Sequence, residues 1–177
     1  YWCDEEIDQI RADLEVHLEF VHMHDRKEIE SYLLVPDVLD RAIDAAIDER
    51  SERVPRVVRR SRAALDYLLE ITEPMRLDVQ SQYLSKRLQF FEKSALDKST
   101  ITLAGINEFE KRWQDQTERL GLVPGKEVLA AFRTKVSEDY SVSLTDHRII
   151  AAFEISEIPL DLISLINRLD LFRKASI

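Results

Sequence analysis

Apolar residues recur with helical spacing at the start of the chain, in residues 3–15. Ile7, Ile10 and Leu14 follow the i, i+3, i+7 spacing of one helix face. The acidic residues that precede them suit the positive end of a helix dipole. This segment is therefore predicted to be an amphipathic helix.

The pattern changes to alternation in residues 16–23. Val16, Leu18 and Phe20 are separated by polar positions, and Val21 and Met23 are apolar on the opposite face. Alternation of this kind predicts a short, largely covered strand. A helix followed by a strand is typical of an α/β unit.

Helical spacing returns after residue 27 and continues through most of the middle of the chain. Residues 27–34 form one stripe, and Pro36 suits the first turn of the next helix. A long helical pattern then covers residues 57–116, with predicted breaks at Pro74 and at 96–105.

The C-terminal third predicts three further helices. One begins at about Lys126 within residues 120–136, and the others cover 144–155 and 157–174. The simplest organisation is a predominantly helical α/β protein. Its α/β scaffold occupies both ends of the chain, and a helical block at residues 37–118 is inserted between them.

Composition narrows the classes of function. The chain has 177 residues, 45% of them hydrophobic, which suffices for a real core. A net charge of −9 argues against a protein that coats nucleic acid non-specifically, although a bound cation can reverse the local field. The single cysteine, Cys3, is consistent with a reducing cytoplasm, and no apolar run is long enough to cross a membrane. Because the sequence starts at Tyr1 rather than Met, we expect it to be a fragment.

Glu28 and Glu30 are candidate metal ligands. Hard cations such as Mg²⁺ prefer carboxylate oxygens, and two-metal hydrolysis of phosphodiesters needs several of them. Residues two apart diverge on a regular helix, but both could hold an ion at a strand-to-helix corner. The alternative is that the two carboxylates flank a buried Ile29 and face water.

His22 and His24 have the spacing that places two rings on one face of a strand. Zinc would need a third or fourth ligand. Cys3 lies far upstream and His147 far downstream, so a structural role or a place at the edge of a site is the alternative.

Lys126 follows a Pro-Gly turn in the first turn of a predicted helix. A lysine beside the backbone N–H groups of a helix start can stabilise a phosphate or a developing negative charge. The turn is not a Walker A loop, because the upstream glycine and the following Ser or Thr are missing. The alternative is an ordinary surface lysine.

Arginines recur about every three residues between positions 50 and 62. One interpretation is that these arginines contact the phosphate backbone of a nucleic acid. The alternative is ion pairing with nearby carboxylates, namely Asp44, Asp48, Glu49 and Glu52. The arginines are Arg50, Arg53, Arg56, Arg59, Arg60 and Arg62.

Taken together, three stretches resemble the C-terminal region of the overcoming-lysogenization-defect (OLD) family of ATP-dependent nucleases, which join an ABC-type ATPase to a Toprim nuclease domain. "DRKEIESYLLVPDVL" is similar to the family's Arg-Glu-Ile-Glu-Asn-Tyr-Leu-Leu run, with Ser31 in place of the common Asn. "LVPGKEVLAAF" is similar to its Pro-Gly-Lys turn, and "EIPLDLISLINRLDLF" resembles its usual ending.

The resemblance implies a domain organisation and a function. Residues 1–36 and 119–177 would form part of a Toprim-like α/β core, and 37–118 the inserted helical domain. The activity would be metal-dependent DNA cleavage with Mg²⁺ or Mn²⁺. Glu30 would hold the metal, with Glu28 as the neighbouring alternative, and Lys126 would act near the scissile phosphate.

The same resemblance implies partners and missing parts. DNA would be bound by Arg56, Arg59, Arg60 and Arg62, and ATP only by an N-terminal ATPase domain that this chain does not contain; a homodimer stays open. The early glutamate and the Asp-x-Asp pair of a Toprim site are also absent, so the fragment is expected to be inactive alone. A non-catalytic helical interaction module is the alternative function.

Overall fold

Helices form the regular structure in residues 4–54 and 59–175, the parts of the chain that the computed structural model describes. The longer helices are α1 (Asp4–Glu15), α2 (Pro36–Arg53), α3 (Ala64–Thr72), α4 (Arg76–Phe90), α5 (Lys98–Gln114), α6 (Gln116–Leu122), α7 (Gly125–Tyr140), α8 (Asp146–Ala151) and α9 (Leu160–Ala175). Short 3₁₀ helices cover Ile29–Leu33, Glu73–Met75, Phe91–Lys93 and Ile155–Glu157.

The helices begin where local chemistry favours it. Pro36 occupies the first turn of α2, where its missing N–H costs nothing. The side chain of Asp97 accepts hydrogen bonds from the backbone N–H groups of Ser99 and Thr100 and so caps α5. Thr145 caps α8 in the same way. The helices predicted to begin at Pro36 and at about residue 144 are confirmed. The break predicted at 96–105 is mostly wrong, because α5 already begins at Lys98.

The predicted strand at residues 16–23 is wrong. The backbone N–H groups of His17 and Leu18 both bond to the carbonyl of Leu14, so the chain closes the last turn of α1 there. Val16 is 76% exposed and Leu18 50% exposed, so these two apolar residues of the alternating pattern do not face a core, whereas Val21 is buried. A strand also needs a neighbour to satisfy its backbone, and no strand occurs in the described ranges.

The fold is therefore predominantly helical, as predicted, but the α/β part of the prediction is not supported. Both segments assigned to a Toprim-like core, 1–36 and 119–177, are helical or irregular wherever they are described. The predicted helix at 27–34 is also shorter than expected, because only Ile29–Leu33 is helical and as a 3₁₀ helix.

The chain divides into two compact units that do not follow the boundaries 37 and 118. Unit 1 comprises Tyr1–Lys27, Arg76–Leu122 and Pro159–Ile177. Unit 2 comprises Glu28–Met75 and Val123–Ile158.

Each unit has its own apolar core. In unit 1, Tyr83 of α4 packs against Phe109 of α5 at 5.9 Å between ring centroids, and Phe109 stacks on Trp113 at 5.3 Å. In unit 2, Tyr67 of α3 meets Phe132 of α7 edge-on at 5.9 Å. The buried stripe of α2 completes the core of unit 2 with Val38, Leu39, Ala42, Ile43, Ala46 and Ile47.

Candidate functional site

The first turn of α7 and the 3₁₀ helix Ile29–Leu33 meet in unit 2 at a backbone-to-backbone contact. Gly125 is buried, and a Cβ atom built on it would lie 2.8 Å from the Cα of Ser31 and closer still to the nitrogen and hydroxyl of Ser31. Glycine is required at such a contact because any side chain would collide with the neighbouring backbone. The Pro-Gly-Lys turn therefore brings Lys126 beside the segment that contains the two glutamates.

Glu28 joins the two segments directly. Its Oε2 atom accepts a hydrogen bond of 2.9 Å from the backbone N–H of Lys126, across 98 residues of sequence. The first N–H groups of a helix have no partner within the helix, so this carboxylate acts as a cap for α7. Within the described residues no contact engages the other oxygen of Glu28, which leaves one coordinating atom.

Glu30 lies one residue before the contact with Gly125. Its side chain is half-buried, and within residues 4–54 and 59–175 its carboxylate has no hydrogen-bond or ion-pair partner. Ile29 between the two glutamates is 59% exposed, so the idea that they flank a buried isoleucine is wrong.

Lys126 is exposed in the first turn of α7. In the part of the chain that the structure describes, its ammonium group makes no ion pair. Glu28 and Lys126 thus meet directly, and Glu30 lies in the same short segment, next to the contact between Ser31 and Gly125. We call this place the Glu28–Lys126 site. It lies at a junction of two helical segments and not at the strand-to-helix corner that the sequence predicted for the glutamates.

The Glu28–Lys126 site offers too few donors for a complete metal centre. Among the described residues, the groups of three or more His, Cys, Asp or Glu side chains close enough to share an ion do not include Glu28 or Glu30. Two carboxylates fit the ligand chemistry of Mg²⁺ or Mn²⁺, but a two-metal centre needs further acidic residues.

His22 and His24 are part of a different group, in unit 1. Their ring centroids are 4.9 Å apart, and Asp161 of α9 completes a set of three ligand atoms that lie within 4.8 Å of one another. Burial lowers the pKa of His22; His24 and Arg168 lower it further, and Asp161 and Asp25 oppose them. Sequence reasoning sought the third ligand among Cys3 and His147 and missed Asp161, for which the sequence offers no signal.

The arginines do not form a helical stripe. Helix α2 ends at Arg53, and Arg59, Arg60 and Arg62 lie in an irregular segment before α3. Arg56 lies outside the described residues.

Two of the predicted DNA-binding arginines are engaged with carboxylates. Arg60 bonds Asp40 and Asp44, each at 2.8 Å, which matches the ion-pairing alternative for Asp44. Arg62 pairs with Glu70 at 2.5 Å and lies over the ring of Tyr67.

Arg59 differs from its neighbours. It is exposed, and its guanidinium has no partner among the residues described.

Two surface cavities are lined by residues other than those of the Glu28–Lys126 site. A groove of 930 Å³ in unit 1 is lined mainly by charged residues of α5 and α6, and a cavity of 440 Å³ in unit 2 lies between α7 and the residues that follow it. Neither includes a residue that the sequence predicted to be functional.

Comparison with protein-family models, curated proteins and solved structures found no match to this chain. Among the helices described, none combines the length and the apolar character needed to cross a membrane.

Proposed function

We propose that this chain is the C-terminal nuclease region of a metal-dependent DNA endonuclease that resembles the OLD family. The observation that supports the proposal best is the contact between the segment of Glu28 and Glu30 and the first turn of α7, which carries Lys126. The hydrogen bond between Glu28 and the backbone of Lys126 joins two of the three stretches that carry the resemblance.

The roles follow from the chemistry of these side chains. Glu30, whose carboxylate has no protein partner within the described residues, is the proposed metal ligand. Glu28 positions the start of α7 with one oxygen and offers the other to the ion. A bound Mg²⁺ or Mn²⁺ would supply an activated water and charge neutralisation at the phosphate.

Lys126 meets the negative charge that develops on the phosphodiester during cleavage. It lies where the helix dipole of α7 already favours an anion, and its ammonium is exposed. The arginine best placed to contact the DNA backbone is Arg59, because Arg60 and Arg62 are engaged with acids.

The proposal requires parts that the described residues do not provide. The Asp-x-Asp pair, the early glutamate and the strands of a Toprim core would have to lie in other sequence of the same protein, as would the ATPase domain. Activity is therefore proposed for the full-length protein, in the cytoplasm, and not for this chain alone.

The test is nicking of supercoiled plasmid by the full-length protein with Mg²⁺ or Mn²⁺. Glu30→Gln should lower the rate about 10- to 100-fold, because it removes a charge that holds the metal. Lys126→Met should lower the rate about 100- to 1,000-fold, the usual effect of losing one group that stabilises transition-state charge.

Two matched variants control for the loss of one charged side chain that has no proposed role in cleavage. Glu127→Gln removes a carboxylate from the same turn of α7, and Lys93→Met removes an exposed lysine in unit 1. Both should nick at the parental rate. Equal activity of the Glu30→Gln variant and its parent would remove Glu30 from the chemistry, and a parent inactive with every metal and nucleotide would overturn the proposal.

A second candidate function is a non-catalytic helical interaction module. The observation in its favour is the apolar surface of α9, where Leu160 is 82% exposed, Leu171 67% and Ile166 62%. The absence of strands from the described residues also favours it. Nicking that depends on Glu30 would exclude this alternative.

A further inference from the structure

The side chains of His22, His24 and Asp161 form a compact group in unit 1, which we call the histidine cluster. One donor atom from each residue lies within 4.8 Å of the other two. The two rings are nearly perpendicular, with an interplanar angle of 83° and a centroid distance of 4.9 Å. Two imidazoles and a carboxylate are therefore directed to one small volume.

One face of α9 holds the extended histidine segment in place. Arg168 donates a hydrogen bond of 2.8 Å to the carbonyl oxygen of Val21, and its guanidinium lies 5.0 Å from the centre of the Phe20 ring. Phe20 also contacts Phe172, with ring centroids 5.8 Å apart. Arg168 and Phe172 lie on the same face of α9 as Asp161, because the spacing of these three residues follows the helical repeat.

One ring nitrogen of His22, Nε2, is buried and lacks a hydrogen-bond partner among the described residues. Buried polar atoms in folded proteins are nearly always satisfied, so such an atom requires an explanation. A ligand held by the cluster would provide one.

We propose that the histidine cluster binds one zinc ion through the imidazoles of His22 and His24 and a carboxylate oxygen of Asp161. Zinc is commonly bound by nitrogen and carboxylate oxygen in four-coordinate sites, and three protein ligands leave the fourth position to water or another ligand. Mg²⁺ prefers oxygen ligands alone. The site is thus independent of the proposed nuclease chemistry, which uses carboxylates in unit 2.

The spacing of the donors is compatible with this ion after a small adjustment. A tetrahedral site with metal–ligand distances of about 2.0–2.1 Å places its donors about 3.3 Å apart. The observed separations reach no more than 4.8 Å, and rotation about side-chain bonds of His24 and Asp161 can close the difference. His24 is exposed and Asp161 is half-buried.

The test is metal binding by the chain, purified without a polyhistidine tag and stripped with a chelator. Titration calorimetry with Zn²⁺ should give one equivalent per chain, and Co²⁺ used as a probe should produce visible d–d absorption that Zn²⁺ abolishes. His22→Ala, His24→Ala and Asp161→Asn should each weaken binding at least about 10-fold. Mg²⁺ at the same concentration should give no signal.

The two other histidines provide matched controls. His17→Ala and His147→Ala remove exposed rings outside the cluster and should bind Zn²⁺ as the parent does. Zn²⁺ should also raise the melting temperature of the parent and of both controls but not that of the His24→Ala variant. His24 is exposed, so its loss leaves the fold intact even where the loss of His22 does not.

Two results would overturn the proposal. One is the absence of a stoichiometric zinc site in the parent chain. The other is parental affinity in the folded His24→Ala and Asp161→Asn variants, because the cluster would then not be the site that binds the ion.

Discussion

Gly125 is a position where a single methyl group should be costly. In Gly125→Ala the new Cβ would collide with the backbone of Ser31, whose Cα would be only 2.8 Å away. Neither segment can yield without moving its own helix, so we expect the free energy of unfolding to fall by about 1–3 kcal/mol, as for overpacked cores. Urea denaturation followed by circular dichroism measures the change.

Gly121 is the matched control for this substitution. Nothing lies within 4 Å of the Cβ that Gly121→Ala would add near the end of α6. We expect this variant to equal the parent or to exceed its stability by up to about 1 kcal/mol, because alanine loses less backbone freedom than glycine on folding. Equal stability losses in both variants would mean that Gly125 is not a special contact.

For single residues, the sequence indicated which side chains belong to the candidate site more readily than it indicated which residues they contact. The sequence singled out Glu28, Glu30 and Lys126, but the hydrogen bond that joins Glu28 to Lys126 spans 98 residues and has no local signal. One of the two interpretations of the glutamates had Ile29 buried between them, yet the 3₁₀ helix presents it to solvent. Burial depends on which face the neighbouring elements cover.

Helices α2 and α3 are joined by a carboxylate that caps a helix other than its own. Asp40 of α2 accepts a hydrogen bond of 2.7 Å from the backbone N–H of Ala64, the first residue of α3, and one of 2.8 Å from Arg60. Asp40→Ala removes both bonds and should lower the free energy of unfolding by about 1–2 kcal/mol, in line with the loss of a helix cap. Asp40→Asn keeps an acceptor oxygen and should cost much less.

The pH dependence of these variants tests the environment of Asp40. Burial raises the pKa of this carboxyl above its usual value, and the bonds from Ala64 and Arg60 oppose the shift. The folded state then holds the proton more tightly than the unfolded state, so the contribution of Asp40 to stability is present below the unfolded pKa and is lost as pH rises through the folded pKa.

Relative to Asp40→Asn, the parent should therefore lose stability as pH rises from about 3 to 7, the range around the carboxyl pKa. Denaturation of both proteins across this range measures the difference. A parent that instead gains on the variant with rising pH would show that the ion pair with Arg60 outweighs the burial of the charge.

Among the elements, the helices could be predicted from the sequence more reliably than the segment at 16–23, which was predicted to be a strand. Helix α2 has a proline at its start and a continuous buried stripe, two independent signals that agree. The alternation in residues 16–23 was a single signal, and it predicted a strand where α1 ends instead. A strand is stabilised by pairing with a neighbouring strand. Alternation of apolar and polar residues within one segment does not show whether such a neighbour exists.

For the whole molecule, the two separate cores predict that stability is not uniform. Gly125→Ala should raise amide hydrogen exchange in α2, α3 and α7, the helices that share the core of unit 2. The protected amides of α4 and α5 belong to unit 1 and should keep their rates, because local units open separately. Hydrogen exchange followed by mass spectrometry resolves the two sets.

A uniform acceleration throughout the chain would contradict this prediction and would mean that the two units unfold as one. Gly121→Ala again serves as the control and should leave both sets unchanged, because its Cβ meets no neighbour.

The division into units could not be predicted from spacing. The sequence suggested one inserted block at 37–118, whereas the structure groups residues 28–75 with 123–158 and assigns the remainder to unit 1. Helical patterns report which face of a segment is apolar. They do not report which of several apolar faces will pack together.

The dependence of the histidine segment on α9 has a consequence for how the protein is made. The bond from Arg168 to Val21 joins residues 147 positions apart, so at the usual pace of synthesis the segment waits about 7–30 s for its partner. During that interval Phe20 lacks its contacts with Arg168 and Phe172, and the two histidines lack Asp161 beside them. Nascent chains stalled before residue 160 are therefore the species most exposed to chaperones and proteases at this segment.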